Sequence, residues 1–337
     1  MTTSRASGAI ASIRRPVPRT VAATNGASAP HGETCAAAWT TASQARSSRG
    51  AGSRAARSQR AYGPAPRELA ACEAIVHAAA HVSPWGADAP FVAATVRGTG
   101  RLIEAIAPEA RLVVIGSASV YDPRVPQLAV RERDAPVPPG RYLNAYGRAK
   151  AAQEGVVRAR RPDAIVLRPR AVWGPGDRTL LPRVMARARG GVLPLPGGGR
   201  RPASMTYIGS LVRAVSAALE QREVTGPVNV ADATPVVPAA LLEELFERLY
   251  RPILIVAVPA PLAEGAAALV QIGWRLDPRH VEPPLTRYAV AALARPITLD
   301  LTRLHEELEV WPDAALDVGL DQTAAWLLGR DRAAPPA

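Results

Sequence analysis

Lysine is almost missing from this chain. Of its 41 basic residues among 337, only Lys150 is lysine and the other 40 are arginine. Arginine-for-lysine usage with abundant alanine is what GC-rich coding sequence produces, so the retained lysine stands out rather than the arginines. Cysteine is scarce as well. Cys35 and Cys72 make no disulfide framework, and without a paired CxxC or a histidine cluster they make no metal site. That usage points to a reducing, cytoplasmic compartment. Long apolar runs are missing: no stretch of about 18 uncharged apolar residues exists, which excludes a membrane span. The nearest approach, residues 253–273, is interrupted by Pro259, Pro261 and Glu264. It reads as a buried strand and helix in preference to an interfacial patch. Acidic residues are missing from the first 66 positions apart from Glu33.

That last absence explains the charge. The net +12 suggests a nucleic-acid partner at first sight. Ten arginines against Glu33 and Glu68 give residues 1–70 a charge of +8, leaving +4 for the other 267 residues. The excess belongs to an arm and not to the body, so nucleic acid ranks last among the partners. Residues 1–66 are rich in Ala, Ser, Arg, Thr and Gly and lack apolar periodicity, a composition that reads as disordered or aberrant. They lack the apolar core of a secretory signal.

From residue 67 the character changes. "CEAIVHAAA" (72–80), "RLVVIGSASVY" (111–121) and "DAIVLRPRAVWGPGD" (163–177) carry short apolar runs fit for buried strands. "FVAATVRGTGRLIEAIA" (91–107) and "LNAYGRAKAAQEGVVRAR" (143–160) have helical spacing. Strands alternating with such helices predict parallel βαβ units in a doubly wound α/β sheet. Ligands then sit at the carboxyl ends of the strands, where Ser117, Ser119, Arg168 and Pro169 fall.

The lone lysine lies four residues after Tyr146, on the same helical face. Tyrosine is a weak acid with pKa about 10, and an ammonium within about 4–6 Å stabilises tyrosinate. A tyrosine so tuned exchanges a proton with an alcohol or ketone, and a serine at a strand end, Ser117, would hold the same oxygen. An exposed pair on a solvated helix face is the plain alternative.

At this point the chain resembles a known family, the extended short-chain dehydrogenase/reductases of the NAD-dependent epimerase/dehydratase group. The likeness is to its 3β-hydroxysteroid dehydrogenase-like branch. "CEAIVHAAAHVSPWG", "VRGTGRLIEA", "VVIGSASVYD", "YGRAK", "VLRPRAVWGPGD", "LPLPGGGRRPASMTYIGSLVRAV", "GPVNVAD" and "EPPLTRYAV" follow in the family's order over residues 67–312. The resemblance implies a Rossmann-like fold over residues 67–330, with a smaller substrate lobe from 174–210 and 250–295, and NAD or NADP as cofactor. It implies Ser117, Tyr146 and Lys150 as the catalytic trio. Ala78 and Ala79 would line the cofactor groove through their backbone, Lys150 would bond the nicotinamide ribose, and Pro169 and Arg170 would flank the nicotinamide. Family members often pair through the YxxxK helix, so a homodimer is one possible state and the oligomeric state stays open.

The phosphate-binding turn departs from the pattern. No G-x-x-G-x-x-G is intact, and two remnants compete, "RASGAIAS" (5–12) and "GASAPHG" (26–32). Family spacing favours the first, although no strand is expected before it. The first 66 residues are therefore read as an aberrant family N-terminus, by frame, start site or replacement. Thr95, Asp122, Gly209 and Ser210 stand where the family has Asn, Gly, Asp and Asn. His77 and His81 read as groove residues, and the arginines of 174–191 as a solvated face more than an anion site. Few charges line 253–274, which leans toward a hydrophobic small-molecule substrate, steroid-like or an alkyl ketone. The reaction expected is alcohol–ketone interconversion. A sugar-nucleotide epimerase or dehydratase and a catalytically silent binding protein are the alternatives.

Overall fold

A strand buried on both faces must be apolar throughout, and the sequence "AIVH" is buried along its whole length in the sheet it helps to form. The computed structural model describes residues 20–23, 69–70, 72–275, 282–311 and 316–333. Strands β1 (Thr20–Ala23), β2 (Ala74–His77), β3 (Arg111–Ile115), β5 (Ile165–Pro169) and β9 (Gly226–Val230) form one sheet in the order β1-β2-β3-β5-β9. Every pairing is parallel. Successive side chains on a strand point to opposite faces, and the two cores divide accordingly. Leu112, Val114 and Val166 pack with Leu102 and Val157, from α2 (Gly98–Ala105) and α3 (Ala145–Arg160). Val113, Ile165 and Leu167 pack on the other face with Ala214 and Ala218 of α5 (Ile208–Glu220) and Leu304 of α9 (Thr302–Glu306). Helices on both faces of a parallel sheet are the doubly wound architecture. Helix α1 (Asp88–Phe91) leads into α2 through a π-helical segment, Val92–Arg97.

Two buried arginines tie these layers together. Arg111, only 4% exposed, spends all five guanidinium donors on main-chain carbonyls. Nε reaches Ala218 at 2.8 Å, Nη1 reaches Asp163 at 3.1 Å and Arg222 at 3.0 Å, and Nη2 reaches Gln221 at 3.0 Å and Val224 at 2.7 Å. It thereby caps the carboxyl end of α5 and holds the turn into β9. Arg168 of β5 grips both carboxylate oxygens of Glu154 on α3, at 3.0 and 2.6 Å, and also donates to Tyr121 Oη and the Glu132 carbonyl.

The remaining strands pair in three two-stranded sheets. They are β4 (Gln127–Val130) with β11 (Ile297–Leu299), β6 (Val172–Trp173) with β8 (Thr206–Tyr207), and β7 (Val192–Pro196) with β10 (Leu254–Val258). Helices α4 (Leu180–Arg187), α6 (Pro238–Arg248), α7 (Ala260–Arg275), α8 (Arg287–Ala294) and α10 (Leu316–Ala333) accompany them.

One expectation needs correction. Residues 253–274 do supply a strand and a helix, β10 and α7, but their outer face is exposed and not buried. Leu254 is 64% exposed, Leu262 67%, Leu269 72% and Ile272 59%. The reason is geometric: β10 pairs only with β7, and α7 packs through Ala263 and Ala267 against Val290 of α8, so neither has a second layer above it. Within the segment read as disordered or aberrant, Thr20–Ala23 joins the sheet beside β2. Both glycine remnants, 5–12 and 26–32, lie outside the described residues. Among the described residues no helix is long and apolar enough to cross a membrane, and no group of side chains is fit to hold a metal.

Candidate functional site

The three strands at the middle of the sheet end side by side, and the expected site residues sit on those ends. Ser117 follows β3, Ala78 and Ala79 follow β2, and Pro169 and Arg170 close β5. Gly116 allows the serine loop to lie this close to β5. A Cβ there would stand 2.8 Å from Val166 Cγ1, 3.0 Å from the Leu167 carbonyl and 3.1 Å from Glu154 Oε1. The Ser117 side chain accepts from Ser119 N at 3.1 Å and starts a tight 3₁₀ turn, Ala118–Val120.

Helix α3 enters over that turn. Asn144 caps it by accepting from Gly147 N at 2.9 Å. Gly147 makes the approach possible, because a Cβ there would stand 2.9 Å from the Ser119 carbonyl. Tyr142, just before the cap, donates to the Val120 carbonyl at 3.0 Å and accepts from Val137 N at 3.1 Å. The first turn of α3 is therefore fixed on the serine loop, which brings the Tyr146 hydroxyl close to Ser117.

Burial pushes the Tyr146 hydroxyl up to about 12; the nearby Ser117 hydroxyl works against it, and the Tyr288 hydroxyl works with it. At neutral pH Tyr146 thus keeps its proton. Lys150 lies one turn further on, 2% exposed, and donates to the Ile115 carbonyl at 2.7 Å and Gln153 Oε1 at 3.0 Å. Burial lowers the ammonium to about 8, against the smaller raising effect of Glu154. Lys150 is not among the groups that set the tyrosine's acidity here. Desolvation decides that acidity, in the direction opposite to the one expected from the Tyr–Lys spacing.

The cofactor-groove residues divide by exposure. Ala78 is exposed and Ala79 buried, so the end of β2 offers backbone with little side-chain bulk. Pro169 is buried. Arg170 turns its head to the lobe, donating to the Ser204 carbonyl at 2.7 Å and the Ala292 carbonyl at 3.4 Å, with Tyr288 beside it. His77 donates or accepts at Thr99 Oγ1 over 2.8 Å, and Gln153 Nε2 donates to the same oxygen at 2.8 Å. Neither Thr99 nor Gln153 is singled out by the sequence. The only signal is that Gln153 follows Lys150 by three, on the face of α3 turned to the sheet. In the lobe, Arg183 pairs with Glu282 at 3.0 Å and Arg187 donates to the Pro284 carbonyl at 2.9 Å. These two arginines are committed to protein partners.

Comparison with known proteins places the chain in a family. An uncharacterised protein of Escherichia coli, YbjS, is 33% identical over 272 residues, 77% of this chain and 79% of that protein. A 2-alkyl-3-oxoalkanoate reductase of Stenotrophomonas maltophilia is 28% identical over 268 residues, covering 76% of this chain and 81% of the reductase. Among solved structures, the UDP-glucuronic acid 4-epimerase of Bacillus cereus in complex with NAD shares the fold. It has a TM-score of 0.59 and 18% identity over 78% of this chain and 77% of that one. Residues 58–231, more than half of the chain, match the NAD dependent epimerase/dehydratase family, and the chain belongs to that family.

Proposed function

We propose that this protein is an NAD(P)-dependent ketoreductase that interconverts a ketone and a secondary alcohol on a hydrophobic substrate. The observation carrying this reading is the meeting of Tyr146 and Ser117 at the carboxyl ends of the strands, one helical turn from a buried lysine. Two hydroxyls on one spot suit a single substrate oxygen.

The residues at the nicotinamide end fit the cofactor. The bare end of β2 at Ala78 and Ala79 leaves backbone to line a groove, and Lys150 has three N–H donors of which two are used. When bound, the cofactor supplies the hydride. The protein supplies the proton and the orientation. Ser117 would hold the substrate oxygen, and Tyr146, protonated at neutral pH, would donate its proton to that oxygen as the carbonyl carbon is reduced. The tyrosinate left behind would then regain a proton from solvent. At neutral pH the tyrosine holds its proton, the state that ketone reduction needs at the start. The hydrophobic substrate is supported by Arg183 and Arg187 being committed to Glu282 and Pro284, and by the reductase relative, whose name specifies an alkyl-branched 3-oxo acid.

The test is calorimetric titration with NADH and NADPH, followed by cofactor oxidation at 340 nm with alkyl and steroid ketones. Tyr146→Phe should lower kcat by about 100-fold or more with cofactor binding retained. Epimerisation of a UDP-sugar without net cofactor turnover would replace this reading with the sugar-nucleotide one. Failure to bind either nucleotide would leave a silent binding protein.

A further inference from the structure

A continuous chain of buried polar groups leads from Lys150 through the helical layer to β2. Gln153 and Thr99 are fully buried and His77 is 5% exposed. Thr99 has one hydroxyl proton and gives it to the Thr95 carbonyl at 2.6 Å. Its oxygen is then an acceptor in its other two bonds. One comes from Gln153 Nε2 at 2.8 Å. The other, also 2.8 Å, is with His77 Nε2, which must therefore carry the hydrogen. With its amide nitrogen turned to Thr99, Gln153 presents Oε1 to the Lys150 ammonium at 3.0 Å. Every proton along the chain has one assignment, and none leaves a choice at the glutamine.

Lys150 has three N–H donors in a tetrahedral head. The Ile115 carbonyl takes one and Gln153 the second. Two fixed bonds leave the third N–H a single direction. We propose that Gln153, anchored by Thr99 and His77, is a positioning residue that orients the one free donor of Lys150 for the reaction. The proposal rests on the ketoreductase reading for the part Lys150 plays, and on geometry alone for the part Gln153 plays. The charged and titratable groups around Lys150 are few: Tyr146 and Glu154 on α3, and His77 on β2. Glu154 is occupied by Arg168 of β5, and burial holds His77 neutral, down at about 3.

The sole lysine makes the test direct, because protein grown with ¹³Cε-lysine gives one resonance, that of Lys150. Its titration midpoint should lie near 8 in the unaltered protein. Gln153→Leu removes an acceptor of the ammonium and should lower the midpoint by about one unit, and Gln153→Glu should raise it by about as much. Thr99→Val, which unseats the glutamine, should broaden the resonance, and Thr99→Ser should restore it. The Thr99 pair keeps the test alive if a Gln153 variant fails to fold. Under the ketoreductase reading, the pH profile of kcat moves with the midpoint while KM for ketone changes little. An unchanged midpoint and linewidth in folded Gln153 and Thr99 variants would overturn the proposal. Midpoints that move as expected in a protein without ketone reductase activity would sustain it and defeat the ketoreductase reading instead.

Discussion

Replacing Arg111 tests whether a buried guanidinium, and not merely a basic residue, joins β3 to α5 and the turn before β9. Its five donors meet five carbonyls, of which those of Ala218 and Val224 are fully buried and the other three partly so. Water can reach the partly buried three after substitution, so the loss falls mainly on the two buried acceptors. An unsatisfied buried acceptor costs about 1–3 kcal/mol. Arg111→Met strands both, for about 4 kcal/mol. Arg111→Lys offers three donors at the tip of its chain but none at the Nε position that serves Ala218. One buried acceptor is stranded, for about 2 kcal/mol. For a chain of this size 1 kcal/mol moves Tm by roughly 2 °C, so calorimetry should show falls of about 8 °C for methionine and about 4 °C for lysine. Equal falls for the two variants would refute the donor count, and a methionine variant within a degree of the parent would refute the role itself.

Other outcomes follow from the same contacts. His77 titrates at about 3 in the folded protein against an ordinary 6.5, so between those values the unfolded chain binds a proton that the folded one refuses. Stability from this residue is complete above pH 6.5 and falls as pH drops toward 3, by about 1.4 kcal/mol per unit. Urea titrations at pH 7 and 4.5 should show a smaller difference in His77→Gln, which keeps an N–H for Thr99. Glu154→Gln leaves Arg168 charged, buried and without its counter-ion, and should cost about 3 kcal/mol in urea unfolding. Gly116→Ala drives a methyl against Val166 and the Leu167 carbonyl. It should cost about 2 kcal/mol and reduce turnover further than stability alone explains, by moving Ser117 from Tyr146.

The central strands were legible because a strand covered on both faces must be apolar at every position, and "AIVH", "RLVVI" and "IVLRP" are nearly so. Tyr146 and Lys150 were legible because helical spacing places them on one face without help from the rest of the chain. Gln153 was not, since its meaning depends on Thr99, 54 positions earlier. Arg111 was hidden for a different reason: an arginine at the start of a strand ordinarily faces water, and only the fold brings carbonyls from residues 163 and 218–224 around it. The apolar run of β10 and α7 was misread because hydropathy specifies what a surface prefers, and the layer that would cover it depends on topology. The burial that raises the tyrosine's pKa is invisible in the sequence, which shows only the spacing of Tyr146 and Lys150.

The burial of Lys150 has a practical corollary. Apart from a chain terminus, this protein owns one primary amine, and it is 2% exposed. Amine-directed esters and aldehydes should therefore leave the native body untouched, allowing attachment at the terminus alone. Modification at Lys150 would occur only when α3 lifts from the sheet. Mass-spectrometric timing of that single adduct would thus act as a clock for opening of the fold at its chemical centre.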